Sequence, residues 1–144
     1  MNKVFLDTNV IIDLLAERSP FYEAIAQVTS LADRKIISIL TSPISYTTSE
    51  YVLSKFEPKS SVIQKLRRFS IICKVTDANQ ETVDKSLFSD FPDFEDAVQY
   101  FCALQANCDV ILSRNKQDFK KSELPIMTAE EYLLAFQSKS SKKS

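Results

Sequence analysis

Glycine and histidine are both missing from these 144 residues. Without histidine the chain cannot run a Ser-His-Asp hydrolysis, a histidine-based RNA cleavage or ordinary zinc catalysis. Without glycine it cannot build a GxGxxG turn or a P-loop around a phosphate. Turn positions that need a left-handed backbone must then go to other residues, with Asn79 and Asn107 the natural occupants. Cysteine is scarce. Cys73, Cys102 and Cys108 are an odd number without metal-knuckle spacing, so they read as reduced, mostly buried thiols of a cytoplasmic protein. No apolar run approaches membrane-spanning length, and no signal-peptide pattern opens the sequence, so no membrane partner is expected. The net charge of -1 rules out a general polyanion-binding surface; nucleic-acid binding would need a local basic face.

What is present is ordinary for a soluble globular protein: 44% hydrophobic and 26% charged residues. The length suits one domain, expected over residues 1–137, with a disordered Ser/Lys tail over 138–144. The remaining polar chemistry belongs to carboxylates, amides, hydroxyls, lysines and arginines.

The chain reads as alternating strands and helices. Val4-Phe5-Leu6 is a short apolar run, the pattern of a strand covered on both faces. Asp7 ends it, and Thr8 and Asn9 open a helix bearing Ile11, Ile12, Leu14 and Leu15. Ser19 and Pro20 suit the cap and first residue of a second helix, whose stripe is Phe21, Ile25, Val28 and Leu31. Residues 36–40 (IISIL) and 71–75 (IICKV) are further strand candidates. Between them a third helix is expected over 46–56, carrying Glu50, and a fourth from Ser60 or Ser61 to about Phe69. A short helix follows over 81–88. Asp93 caps a largely buried helix over 94–106, with Asp96 three residues on. Val110-Ile111-Leu112 is a fourth strand and 125–127 an edge strand. Thr128 and Glu131 form a capping box for a last helix over 129–137.

That alternation predicts an α/β fold: a parallel sheet of four to five short strands with helices on both faces. Parallel strands all point one way, so their ends share one face of the sheet. Asp7 ends strand one, Glu50 lies in the helix after strand two, Asp96 opens the helix feeding strand four, and Asn115 follows strand four with Asp118 close behind. Each has an ordinary use, as cap, solvated helix residue or turn residue; their convergence is the functional signal. Carboxylates gathered without neutralising partners repel one another. A divalent cation relieves this, and oxygen-only ligands suit Mg²⁺ or Mn²⁺.

The segments VFLDTNVIIDLL, TSPISYTTSEYVL, DFEDAVQYFCAL and DVILSRNKQDF, in this order and spacing, resemble the PIN domain family, and within it the bacterial VapC-type toxins. The likeness spans Met1 to about Phe136. It implies a metal-dependent ribonuclease acting on RNA, with Asp7, Glu50 and Asp96 as first, second and third acids around Mg²⁺ or Mn²⁺. Thr8, Asn9 and Ser113 match the flanking polar residues. The family often places a fourth acid where this chain has Asn115, with Asp118 nearby. The resemblance also implies an antitoxin partner, and many such proteins form homodimers. Among Lys55, Lys59, Lys65, Arg67, Arg68, Arg114, Lys116, Lys120 and Lys121, the pair flanking Asn115, Arg114 and Lys116, is the preferred RNA contact. Two rivals stand beside this reading. A non-catalytic PIN-like module would bind RNA or protein only. A haloacid dehalogenase-type phosphatase would need an Asp where Asn9 stands.

Overall fold

A computed structural model describes residues 2–139, together with the backbone of 140–143. In chain order the elements are β1 (Lys3–Leu6), α1 (Thr8–Leu15), α2 (Tyr22–Asp33), β2 (Ser38–Thr41), α3 (Pro43–Leu53), α4 (Lys59–Ile72), β3 (Cys73–Val75), α5 (Gln80–Leu87), α6 (Phe94–Gln105), β4 (Val110–Leu112), a 3-10 helix (Lys116–Phe119), β5 (Ile126–Met127) and α7 (Ala129–Lys143). The strands form one sheet in the order β3-β2-β1-β4-β5, every pair parallel. The last helix, expected over 129–137, runs on to Lys143, through most of the stretch expected as a tail; Ser144 lies outside the described residues.

The core follows from the period-2 alternation of strands buried on both faces. Val4 and Leu6 of β1, Ile39 of β2, and Val110 and Leu112 of β4 point to one side, where they meet α1, α2 and α7. Phe5, Leu40 and Ile111 point to the other and pack against Val98, Cys102 and Ala103 of α6. A smaller cluster of Ile12, Leu53, Val62 and Leu66 joins α1, α3 and α4. All three cysteines are buried and unpaired by disulfides, as expected.

Several boundaries differ from the sequence reading for local reasons. α2 starts at Tyr22 rather than Pro20, because residues 18–21 form a turn in which Phe21 and Tyr22 both donate to the Arg18 carbonyl. α3 starts at Pro43 rather than Tyr46, with Ser42 as N-cap, because proline is well placed in a helix's first turn. Glu50 is therefore the eighth residue of α3 rather than the fifth of a helix over 46–56, roughly 10 Å along the axis from the helix start. α4 continues through Ile71 and Ile72, shortening β3 to three residues. Two capping predictions held: Asp93 accepts from the Asp96 amide at 3.0 Å, and Thr128 and Glu131 exchange backbone–side-chain bonds at 2.9 and 3.1 Å. Ser19 and Ser60 or Ser61 do not cap their helices, where Phe21 and Pro58 hold the N-cap positions without a side-chain bond.

The lack of glycine is met at three helix ends. Glu17, Lys35 and Asn107 have φ of 51°, 62° and 59°. Each is the second residue past its helix and makes the paired bonds of a Schellman turn: after α2, for example, Lys35 donates to Ala32 and Ile36 to Leu31. Asn107 was anticipated. Asn79 is instead extended, at φ -126°, and caps α5 through Thr82. A lysine at φ 62° carries the steric strain of Cβ that glycine would not. Lys35→Gly is therefore expected to stabilise the fold by about 0.5–1 kcal/mol, read as a higher urea midpoint at unchanged m-value. A lower midpoint would show that the lysine side chain, not its backbone, governs the turn.

Candidate functional site

β1 and β4 lie side by side in the sheet, yet the chain leaves them in opposite directions, towards β2 on one side and β5 on the other. This is the topological switch point, where open α/β sheets leave a crevice outside the strand ends. Asp7 follows β1 and Ser113 follows β4. The Asp7 amide donates to the Leu112 carbonyl at 3.0 Å, so the ladder carries on just far enough to set Asp7 opposite Ser113. Asp7 is 6% exposed. Its Oδ1 accepts the Thr8 amide at 2.9 Å and its Oδ2 accepts the Ser113 hydroxyl at 2.8 Å. It is thus both the N-cap of α1 and a buried carboxylate in the crevice; the two uses do not compete.

Burial pushes the Asp7 carboxyl above the usual carboxylate range, against the pull of Ser113 and Thr8, and the charges of Glu95 and Asp118 push the same way. Asp96, in the first turn of α6, is raised further, to about 7, by desolvation first and then by Asp7, Asp93, Asp118 and Glu95. Every charged group that shifts these two carboxyls is another carboxylate. Glu95 is itself raised, by desolvation and by Asp93.

Other expected residues fall at various distances from this pair. Ser113 is fully buried, and its Oγ also accepts the Asn115 amide at 3.0 Å. Asn115 is exposed and precedes the 3-10 helix without capping it through its side chain; its carbonyl accepts the Asp118 amide at 3.0 Å. Asp118 is close enough to raise both Asp7 and Asp96. Thr8 is buried, and Asn9 Oδ1 is buried without a hydrogen-bond partner. Glu50 is not among the charges acting on Asp7 or Asp96; its Oε1 accepts from Ser54 Oγ at 3.3 Å. Among the described residues no three acidic or cysteine side chains are already disposed as a metal centre.

The two basic residues have partners. Arg114 grips Asp13 through Nε and Nη2, at 2.6 and 3.2 Å, and its guanidinium lies 4.1 Å from the centre of the Phe21 ring. Asp13 is 1% exposed, so withdrawing Arg114 would strand a buried charge. This guanidinium locks the end of β4 to α1. Lys116 pairs with Glu131 at 2.6 Å with both side chains nearly half exposed, a contact worth little in water. Lys116 lines an open depression with Asn115, Asp118 and Thr128.

Sequence reasoning missed Gln99, which is fully buried on α6 and bonded to Thr8, Ser42 and Ser45. It also missed Asp13 as the anchor of Arg114, and Glu95 as a charge felt by Asp7. An amide inside the largely apolar run of residues 97–104 was the one available signal for Gln99.

The donor set is chemically suited to a hard cation. It is all oxygen, and no cationic side chain is among the groups acting on its carboxyls; Asn9, two residues after Asp7, adds an orphaned amide oxygen. A parallel α/β domain with acids crowded at its switch point is the class of protein that fold and site define. The chain belongs to the PIN domain family, whose profile matches residues 3–117. It is 30% identical over 135 residues, 90% of this chain and 92% of the other, to ribonuclease VapC1 of Aquifex aeolicus. Its fold is similar to that in the crystal structure of VapBC2 from Rickettsia felis bound to a promoter DNA fragment, with a TM-score of 0.66 at 18% identity, covering 88% of this chain and 98% of that one. It is also similar to VapC20 of Mycobacterium tuberculosis, a Sarcin-Ricin loop cleaving toxin, with a TM-score of 0.59 at 13% identity over 75% and 86% of the two chains. Family membership disposes of the phosphatase rival. No helix among the described residues is long and apolar enough to cross a membrane.

The raised Asp96 has a direct consequence for stability. Its folded pKa of about 7 lies above its ordinary value of 3.8, so protonation favours the fold. In EDTA the wild type should lose stability as pH rises from about 4 to about 7, and Asp96→Asn should flatten that part of the profile. Thermal unfolding of the two proteins across this range checks it. Parallel profiles would show that Asp96 is not crowded by its neighbours.

Proposed function

We propose that this chain is a divalent-cation-dependent endoribonuclease acting in the cytoplasm as the toxin of a toxin–antitoxin pair. The observation that carries the reading is the pair Asp7 and Asp96 at the switch point: both carboxyls are raised, Asp96 in part by the charge of Asp7, and no basic side chain is among the groups acting on either. Support comes from the ribonuclease named among its relatives and from the VapC proteins that share its fold.

Asp7 and Asp96 are the residues assigned to hold Mg²⁺ or Mn²⁺. The family resemblance adds Glu50 as the second acid, and the charge pattern adds Asp118. When bound, such a cation lowers the pKa of the attacking water and neutralises charge developing on the phosphate. The chain's own residues prepare the site. Ser113 and the Thr8 amide fix both oxygens of Asp7, so its carboxylate cannot turn away. Asn115 offers an amide oxygen but no charge, so Asp7, Glu50 and Asp96 with one divalent ion leave the site near -1. One ion is therefore expected to bind well in the free protein, and any second only with the RNA phosphate. Lys116, held by an exposed pair alone, is freer than Arg114 to turn to phosphate; Arg114 acts by holding the β4 end. The assigned partners are an RNA substrate, a cognate antitoxin protein and, as in many VapC-type toxins, a second copy of the chain.

The non-catalytic reading is favoured by one observation, the neutral side chain at Asn115. Incubating structured RNA with the protein separates the two. We expect Mn²⁺-dependent scission abolished by EDTA, slowed more than about a hundredfold by Asp7→Asn or Asp96→Asn, while Asn115→Asp tightens Mn²⁺ binding by adding a charge at the site. RNA binding should also weaken steeply with salt. Tight RNA binding with no scission under any divalent ion would leave only the binding module.

A further inference from the structure

Beneath Asp7 lies a polar knot that the assigned reaction does not use. Gln99 is 0% exposed. Its Nε2 donates to Thr8 Oγ1 at 3.0 Å and to Ser45 Oγ at 2.6 Å, and those two hydroxyls stand 2.9 Å from one another. Ser42 Oγ donates to Gln99 Oε1. Ser42 and Ser45 are fully buried and Thr8 nearly so. The amide's two protons and its oxygen are all engaged, so its orientation is dictated by three partners from distant parts of the chain.

Those partners sit at the site's structural joints. Thr8 is the first residue of α1, and its amide holds Asp7 Oδ1. Ser42 is the N-cap of α3 and Ser45 lies in its first turn. Gln99 stands three residues after Asp96 on α6, so the two share a side of that helix. One side chain therefore ties the base of Asp7 to the helix that carries Asp96. An apolar residue would fill the same space, and would leave three buried hydroxyls short of partners.

We propose that Gln99 is a positioning residue for the cation site: by fastening the starts of α1 and α3 to α6, it holds Asp7 and Asp96 at the separation one cation bridges, against their mutual repulsion. This rests on the reading of those two carboxylates as ligands. Gln105 supplies the control. It is an amide at the other end of α6, bonded to Thr82 Oγ1 at 2.7 Å and remote from Asp7 in the hydrogen-bond network.

The test compares Gln99→Met, Gln105→Met and Ser42→Ala with the wild-type chain, by two readouts that need no RNA. The first is hydrogen exchange of the Thr8 amide without metal, referenced to β4 amides. The second is Mn²⁺ affinity by calorimetry. For Gln99→Met we expect at least tenfold faster exchange at Thr8 and at least tenfold weaker Mn²⁺ binding. Ser42→Ala should move both in the same direction by a few-fold, and Gln105→Met should move neither. Wild-type exchange and affinity in folded Gln99→Met would overturn the proposal, as would their retention in Ser42→Ala should Gln99→Met fail to fold. A wild-type chain that binds no Mn²⁺ would instead sink the assignment of the carboxylates as ligands, and exchange at Thr8 would still decide the role of Gln99.

Discussion

The Ser113 hydroxyl reaches across the gap between β1 and β4 to hold Asp7, and most of the architecture serves that one contact. The parallel pairing of Leu6 with Leu112 brings the two strand ends level. Arg114, next in the chain, is clamped to the buried Asp13 of α1, so the β4 end cannot drift from the helix that Asp7 caps. The Asn115 backbone amide then donates a hydrogen bond to the same Ser113 oxygen. A carboxylate buried at 6% exposure would ordinarily protonate or find a base. Here it is given two neutral donors and further carboxylates instead. That arrangement is costly for folding and useful only where positive charge arrives from outside the chain. Natural proteins tolerate such local conflict chiefly at functional sites.

The apolar layers explain how the conflict is borne. Both faces of the sheet are covered, and β4 and all of β1 except Lys3 are buried between them. The strands therefore form a rigid floor whose ends the crowded acids cannot displace. The helices that carry further polar residues are then fixed relative to that floor by buried hydroxyls and one amide, rather than by apolar packing alone.

Much of this was legible in the sequence because it rests on local rules. Val110-Ile111-Leu112 could only be a buried strand, and it is β4 to the residue. Asp93 and Thr128 announced their helices by side-chain chemistry that needs no tertiary context. Parallel topology and the positions of strand ends predicted that Asp7, Glu50, Asp96 and Asn115 converge, with Asp118 close behind. The charges of Asp7 and Asp118 do act on Asp96, whereas Glu50 is not among the charges felt there. Ser113 was read only from the family resemblance. What stayed hidden depended on distant partners. Pro43 reads equally as a turn residue or a first helical residue, and only the packing of α3 on α1 decides. Ile71 and Ile72 have strand-like composition, yet tertiary packing keeps them in α4. Arg114 and Lys116 look alike beside Asn115; one is locked to a buried aspartate 101 residues away and the other rests on the surface. Gln99 gave no sign of its role, since its three partners come together only in the fold. Left-handed Glu17 and Lys35 were likewise unforeseeable, because their strain is imposed by helix ends rather than by their own preference.

The assignment of a cation to this crevice depends on Asp96 being crowded by uncompensated carboxylates. Carbon-13 NMR of the Asp96 side-chain carboxyl, followed against pH in the metal-free protein, measures this directly. A midpoint near 7 that falls sharply on adding Mg²⁺ is the predicted result. A midpoint near its ordinary 3.8, insensitive to Mg²⁺, would contradict it.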